Sequence, residues 1–327
     1  MISRHCFLRC ATAAAVALTV GTATFAQDAF PNKEIRLVVP WNAGGSNDIA
    51  ARALADVLMK KGVRVIVDNV PGATGSIGMQ KVANAPADGY TIGMGTSSTL
   101  ALIAQGLTPL KSEQFTPIAR VTTDPLTLLV PANSPLGTLD AFVANVKKNP
   151  GKVSVGTPGS NNLNHIFAVM SGRVAASEVN VIPYTGGSKV VADLAGKQID
   201  AAVLKPGESK AQIDGGLVKP IGVFANERLK VFPDVPTFKE KGYDVFPYGP
   251  LVQMAYLVAP AKVPEDVRVK LTKLFQEAIQ SAEFKAVAAQ GGAVVDDLTG
   301  PALAKEIAGV EKSLAVVGKQ IFAAEKK

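Results

Sequence analysis

A two-lobed α/β fold is predicted for this chain, each lobe with a central sheet flanked by helices and a ligand cleft between them. Three observations predict it. Strand, polar loop and helix alternate in two separate sets. The polar loops fall at strand C-termini, where open α/β sheets bind ligands. The chain has 327 residues, enough for two cores, with 47% hydrophobic residues and a mean hydropathy of +0.22.

The first set opens at the stretch that organises the chain. Ile35 to Val39 is an apolar strand, and Pro40-Trp41-Asn42-Ala43-Gly44-Gly45-Ser46-Asn47-Asp48 follows it. A helical pattern comes next, with Ile49, Ala50, Ala53, Leu54, Val57 and Leu58 on one face. A glycine-containing turn into a helix leaves free backbone N–H groups at the positive end of the helix dipole, which favours an anion. An ordinary βα turn has the same appearance. Arg64–Val67 is the second strand, Ser76–Ala85 a helix, and Tyr90–Met94 the third strand, ending in Gly95-Thr96-Ser97-Ser98-Thr99. This βαβαβ rhythm predicts a parallel sheet.

The second set follows a Pro-containing linker. Thr127–Val130 is a strand and Leu139–Lys148 a helix. Lys152–Val155 is a strand leading into Gly156-Thr157-Pro158-Gly159-Ser160-Asn161-Asn162 and a helix from about Leu163 to Ala175. Val179–Pro183 runs into Tyr184-Thr185-Gly186-Gly187-Ser188 and a further helix. Gln198–Leu204 ends in the loop Lys205-Pro206-Gly207, and Leu217–Phe224 is the next strand. Tyr248–Val258 reads as a strand returning to the first set. Glu265 to Ala289 and Pro301 to the end are amphipathic helix. The organisation is therefore lobe 1 over 27–125 and 248–327, with lobe 2 over 126–247 inserted.

Residues 1–26 read as a secretory signal, with Arg4 and Arg9 before the apolar run Ala11–Val20 and cleavage after Ala26. Both cysteines, Cys6 and Cys10, lie in it, so the exported chain carries no thiol chemistry. Losing Arg4 and Arg9 lowers the formal charge from +7 to +5. With no block of basic residues, nucleic acid is not an expected partner. His165 is the one histidine of the exported chain, too few partners for a metal cluster or a Ser-His or Cys-His system. No cofactor and no catalysis are expected. Gly72, Gly75 and Gly78 do not make the dinucleotide fingerprint.

Several motifs together resemble one family. Val39-Pro40-Trp41-Asn42-Ala43-Gly44-Gly45 with Asp48 is the first, then Asp68-Asn69-Val70-Pro71-Gly72-Ala73 and Ala87-Asp88-Gly89-Tyr90-Thr91. Pro183-Tyr184-Thr185-Gly186-Gly187, and Phe232-Pro233-Asp234-Val235-Pro236-Thr237 with Gly242-Tyr243, complete the set. In order and spacing they resemble the solute-binding proteins of tripartite tricarboxylate transporters, the Bug family. The resemblance implies a periplasmic binding protein of type II form, a monomer that closes on a small carboxylate and delivers it to the permease subunits. It also implies that first-loop amides and ordered waters hold a ligand carboxylate.

The expected ligand-binding residues are Trp41, Asn42, Gly44, Gly45, Ser46, Thr96, Ser97, Ser98, Thr157, Gly159, Ser160, Asn161, His165, Tyr184, Thr185, Gly186 and Lys205. They supply the hydroxyl, amide and backbone donors that a carboxylate needs. Gly44, Gly45 and Ser46 are the leading anion donors. Trp41 reads as a pocket wall or as a core anchor of its loop. Asp48 reads as a cap of its own helix, His165 as a ligand donor or a structural histidine, and Met59, Met79 and Met170 as core. Lys205 stands where the resemblance implies a small or acidic residue. It reads either as a partner for a second carboxylate, which suits a di- or tricarboxylate, or as a solvated loop lysine. A sensory role feeding a two-component system, or an enzyme on the same scaffold, are the alternative readings.

Overall fold

The computed structural model describes residues 30–249 and 251–322. The expected signal segment and its cleavage site lie outside the described residues. Ten strands form two five-stranded sheets. The first has the order β2 (Val65–Asn69), β1 (Ile35–Val39), β3 (Thr91–Thr96), β10 (Met254–Pro260), β4 (Phe115–Thr123). The second has the order β7 (Asn180–Pro183), β6 (Ser154–Thr157), β8 (Ala201–Leu204), β5 (Leu126–Pro131), β9 (Val218–Phe224).

The two sheets share one plan. β1 is parallel to β2 and β3, while β10 runs antiparallel to β3 and β4. Likewise β6 is parallel to β7 and β8, while β5 runs antiparallel to β8 and β9. The strands of the first βαβαβ unit are thus parallel as expected, and β10 and β5 make the two sheets mixed. The reversed strand in each sheet is the one that enters from the other lobe, so it arrives from the opposite end. Two crossings join the lobes, Asp124–Pro125 between β4 and β5, and the longer stretch between β9 and β10. They are pinned together where Asp124 N donates to Gln253 O at 2.8 Å.

Among the described residues, ten helices cover the sheets: α1 (Ser46–Lys60), α2 (Ser76–Ala83), α3 (Ser97–Ala104), α4 (Leu139–Lys148), α5 (Leu163–Arg173), α6 (Gly187–Ala195), α7 (Pro206–Asp214), α8 (Glu265–Ile279), α9 (Ala282–Gln290) and α10 (Gly300–Phe322). Several elements depart from the sequence expectation. β4 occupies what read as a linker, because Pro117 argues against a strand; β4 is a sheet edge, where proline is tolerated. α3 follows directly from β3, capped by Thr96, where a polar loop was expected. α7 begins at Pro206-Gly207, which reads as a turn, but proline suits the first helical position. β10 begins at Met254 rather than Tyr248, and Ser281 caps α9, so the helix expected over 265–289 is two.

The buried face of α1 is rotated from the expected one. Ala51, Leu54, Val57 and Leu58 are buried, whereas Ile49 is 45% exposed. Met59 is exposed, not core, while Met79 and Met170 are buried. α10 packs on α3 and β4 of the first lobe and also reaches α5 of the second. Leu303, Leu314, Val317 and Ile321 thus join one apolar cluster with Ile166 and Phe167.

Close packing positions the first-strand loop. A Cβ on Gly78 of α2 would lie 2.7 Å from Val70 O and 2.8 Å from Pro40 Cβ. Neither neighbour is the end of a flexible side chain, so helix and loop would have to part. Gly78→Ala is expected to lower unfolding stability by about 1–3 kcal/mol, measured by denaturant unfolding; an unchanged midpoint would refute this packing constraint.

Candidate functional site

The parallel strands of both lobes end at one cleft, and helices begin there. α1 and α3 bring their N-termini from the first lobe, and α5, α6 and α7 from the second. Among the described residues the cavity is lined by Trp41, Asn42, Gly45, Ser46, Asn47 and Ser98 on the first-lobe side. Pro158, Asn164, Gly186, Gly187, Ser188, Lys205 and Glu208 line it from the second lobe, and Gln253 from a crossing segment. Its void, open mouth included, is about 490 Å³.

The first loop is held by one acid. Asp48 Oδ2 accepts from Gly44 N at 2.9 Å and from Arg52 Nε at 2.9 Å, and Oδ1 accepts from Asn69 Nδ2 at 3.0 Å. The same Asn69 Nδ2 donates to Trp41 O at 3.1 Å. Burial acts to raise the Asp48 pKa, but these donors outweigh it and hold the carboxyl below its usual range. Asp48 is therefore committed to its loop. The amides of Gly44 and Gly45 are also engaged, the latter with Asn42 O at 3.3 Å. α1 has no side-chain cap, and Ser46 and Asn47 of its first turn line the cavity. Trp41 packs on the first-lobe core and lines the cavity, and its Nε1 is buried with no hydrogen-bond partner.

Seven expected residues line this cavity: Trp41, Asn42, Gly45, Ser46, Ser98, Gly186 and Lys205. The other expected residues surround it. Thr96 caps α3 by accepting from Thr99 N. Ser97 Oγ donates to Val252 O at 2.7 Å and accepts from Met254 N, tying α3 to the start of β10. Thr157 Oγ1 donates to Gly159 O at 2.8 Å. Gly159, at φ +113°, approaches the first lobe so closely that a Cβ would lie 3.0 Å from Thr74 Oγ1. Ser160 is half-buried in the same loop. Asn161 O accepts from Gln105 Nε2 of the first lobe at 2.8 Å. Tyr184 hydrogen-bonds Asp193, and Thr185 is exposed.

His165 braces the same loop. Asn161 N donates to its Nδ1 at 3.0 Å, and its ring meets Phe322 edge-on at 4.9 Å. Desolvation lowers its pKa from 6.5 to about 4, so the imidazole is neutral at ordinary pH.

Lys205 is not a solvated loop lysine. It is buried, and Nζ donates to Asp124 Oδ2 at 2.8 Å and Asn47 Oδ1 at 3.2 Å. The lysine at the start of α7 thus grips the crossing segment and the start of α1, joining the two lobes. Its backbone N donates to Glu208 Oε2 at 3.1 Å. Burial pushes the Glu208 carboxyl up, against the opposing charge of Lys205.

The lining residues missed from the sequence are Asn47, Pro158, Asn164, Gly187, Ser188, Glu208 and Gln253. Ser188 and Gly187 adjoin Gly186 and follow from the same loop. Asn164 was legible only as a helix residue; its Nδ2 donates to buried Val203 O at 2.9 Å. Glu208 lies on α7, which read as a loop, and Gln253 in a stretch that read as apolar strand.

Helix starts surround the cleft, and among the described residues no group of His, Cys, Asp and Glu could hold a metal ion. A family model described as the tripartite tricarboxylate transporter family receptor matches residues 50–309. The chain belongs to this receptor family. Protein BugT of Bordetella pertussis is a relative, 33% identical over 276 residues that cover 82% of this chain and 83% of BugT. MatC of Rhodopseudomonas palustris, solved with bound malate, has the same fold with a TM-score of 0.80 at 26% identity, covering 88% of this chain and 100% of that one. The periplasmic binding protein BugD matches with a TM-score of 0.79 at 28% identity, over 89% of this chain and 98% of its own. The family is one of solute-binding receptors of the periplasm, and the two-lobed α/β fold of this member agrees with those neighbours.

Two outcomes are expected of this receptor. Lys205→Ala leaves Asp124 buried without its counter-charge and should cost about 3–5 kcal/mol, whereas Lys205→Met with Asp124→Leu should recover most of that loss. Urea unfolding of the unmodified protein and the two variants measures it, and a double variant no more stable than Lys205→Ala would refute the interlobe pair. For His165, the unfolded state takes up a proton at higher pH than the folded state. Its contribution is thus complete above about pH 6.5 and is lost as pH falls toward about 4, by roughly 3 kcal/mol at most. His165→Gln should flatten that part of the stability–pH curve; an equally steep acid loss in the variant would contradict it.

Proposed function

We propose that this chain is a periplasmic solute-binding protein that captures a small organic carboxylate and delivers it to the membrane subunits of a tripartite permease. In this reading, export follows cleavage after Ala26 and the receptor acts as a monomer. Lobe 1 comprises residues 27–125 and 248–327, and lobe 2 comprises 126–247.

The observation that carries the reading is the convergence of five helix N-termini on one cleft whose lysine is already paired. Such a site recognises an anion by backbone amides and dipoles rather than by a free cation. The uncapped start of α1, with the unpartnered Trp41 Nε1, is the carboxylate seat. Three or four charge-assisted hydrogen bonds, less ordering costs, correspond to roughly micromolar affinity, about −8 kcal/mol. The lobes touch through Lys205–Asp124, Gln105–Asn161 and Gly159–Thr74, which are contacts a closed receptor would use. A hinge at the two crossing segments lets the same contacts open for loading.

After unfolding and refolding to strip endogenous ligand, at least one member of a broad carboxylate panel should raise the melting temperature by several degrees at saturating concentration. A flat response to every carboxylate would sink the proposal.

A further inference from the structure

Besides the Lys205 bridge, the lobes meet where the loop ahead of α5 reaches the first lobe. Pro158 of this loop lines the cavity. Beside it, Gly159 lies against the side chain of Thr74, where a Cβ would be 3.0 Å from Thr74 Oγ1 and 3.6 Å from Cγ2. Asn161 is held from both lobes. Its N–H donates to His165 Nδ1 at 3.0 Å, and its O accepts from Gln105 Nε2 of the first lobe at 2.8 Å. Asn161 has φ +54°, a left-handed conformation that asparagine tolerates.

The first-lobe partner is strained. Thr74 has φ +52° and ψ +38°, and Ala73 before it has φ +45°. Left-handed backbone is costly for a residue with a Cβ, and a β-branched threonine is an outlier there. Three bonds from within the first lobe hold the turn. Gly75 N donates to Gly72 O at 3.0 Å, Ser76 Oγ to Ala73 O at 2.8 Å and Thr99 Oγ1 to Thr74 O at 3.0 Å. All three have both partners in the first lobe, so the turn is shaped before the lobes meet. Gln105 is fixed in the same way, since its Nε2 also donates to Ala101 O of α3 at 2.8 Å. A glycine at position 74 would relieve the backbone but remove the side chain that meets Gly159. Strain that a structure over-determines at a contact points to a use for that contact.

We propose that Thr74 and Gln105 form a preformed latch, which captures the loop 157–162 as the cleft closes and sets how much of the receptor is closed. The proposal rests on the receptor reading for the closing motion and adds the residues that govern it. Thr74 and Gln105 lie outside the lining of the ligand cavity. They are positioning residues, acting through the loop that carries Pro158. Apparent affinity scales with the fraction of receptor in the competent state, so loss of the latch weakens every ligand by one factor.

The test needs no ligand. Cys6 and Cys10 are the two cysteines of the sequence, so the chain starting at Gln27 carries none. Asn42→Cys with Gly186→Cys puts one thiol on each lobe, at positions where a Cβ on Gly186 lies 3.0 Å from Asn42 Nδ2. The rate at which dibromobimane, a short bifunctional thiol reagent, joins the two thiols reports the closed fraction. In this background, Thr74→Gly with Gln105→Met should slow joining about 10-fold, while monobromobimane labels each cysteine at an unchanged rate. Thr74→Gly alone should slow joining without lowering the melting temperature, because relief of the backbone accompanies loss of the contact. A merely structural role would instead lower the melting temperature and leave the joining rate unchanged. Should the double variant fail to fold, Gln105→Glu sets an acceptor against Asn161 O and should slow joining about 5-fold or more. An unchanged joining rate in the variant that folds overturns the proposal. A failed latch leaves the carboxylate reading standing, and a flat carboxylate panel leaves the joining rates to decide the latch.

Discussion

The Lys205 ammonium, held between Asp124 and Asn47, is the interaction on which the arrangement of the lobes turns. It reaches from the first residue ahead of α7 to the short crossing segment and to the start of α1. Both charged side chains are nearly excluded from water, at 6% and 8% exposure. In such surroundings an ion pair is weakly stabilising overall but costly to break on one side. Its effect is one of geometry. It sets the distance between the start of α1 and the helix starts of the second lobe.

Around that pair the electrostatics follow from topology. In each sheet the parallel strands deliver their C-terminal ends, and so their helix N-termini, to the same side. Facing the two sheets across a cleft gathers partial positive charge from five helices without exposing a cation. The polar side chains that surround the cleft mostly serve the frame. Asp48 fixes the first loop, Thr96 and Ser97 fix α3, Thr157 and His165 fix the loop ahead of α5, and Tyr184 is tied to Asp193. That division leaves Trp41, Gln253 and Glu208 as lining side chains beside the helix starts.

The hinge combines a short and a long segment, which move together because Asp124 N is bonded to Gln253 O. Gln253 therefore belongs both to the hinge and to the cleft wall. α10 adds a second restraint, since its last turns lie against α5 while its first turns lie against β4. Receptor closure must slide or bend that contact rather than leave it unchanged.

By itself the sequence determined the elements whose signals are local. The Ile35–Val39 strand, the glycine turn into α1, the repetition of strand, polar loop and helix, and the return of a strand from the second set to the first are all written in periodicity and turn chemistry. So is the presence of Trp41, Ser46, Ser98 and Gly186 near strand ends. Tertiary structure alone decided what depends on partners distant in the chain. Pro117 is compatible with a strand only because β4 is an edge. Ile49 is exposed because α1 is turned so that Ala51, Leu54 and Leu58 meet the sheet. Lys205 is a buried interlobe partner because Asp124, 81 residues earlier, stands within 2.8 Å. Gln253 and Glu208 enter the cleft for the same reason: which way a polar side chain faces is set by the packing of two lobes, and no local pattern records it.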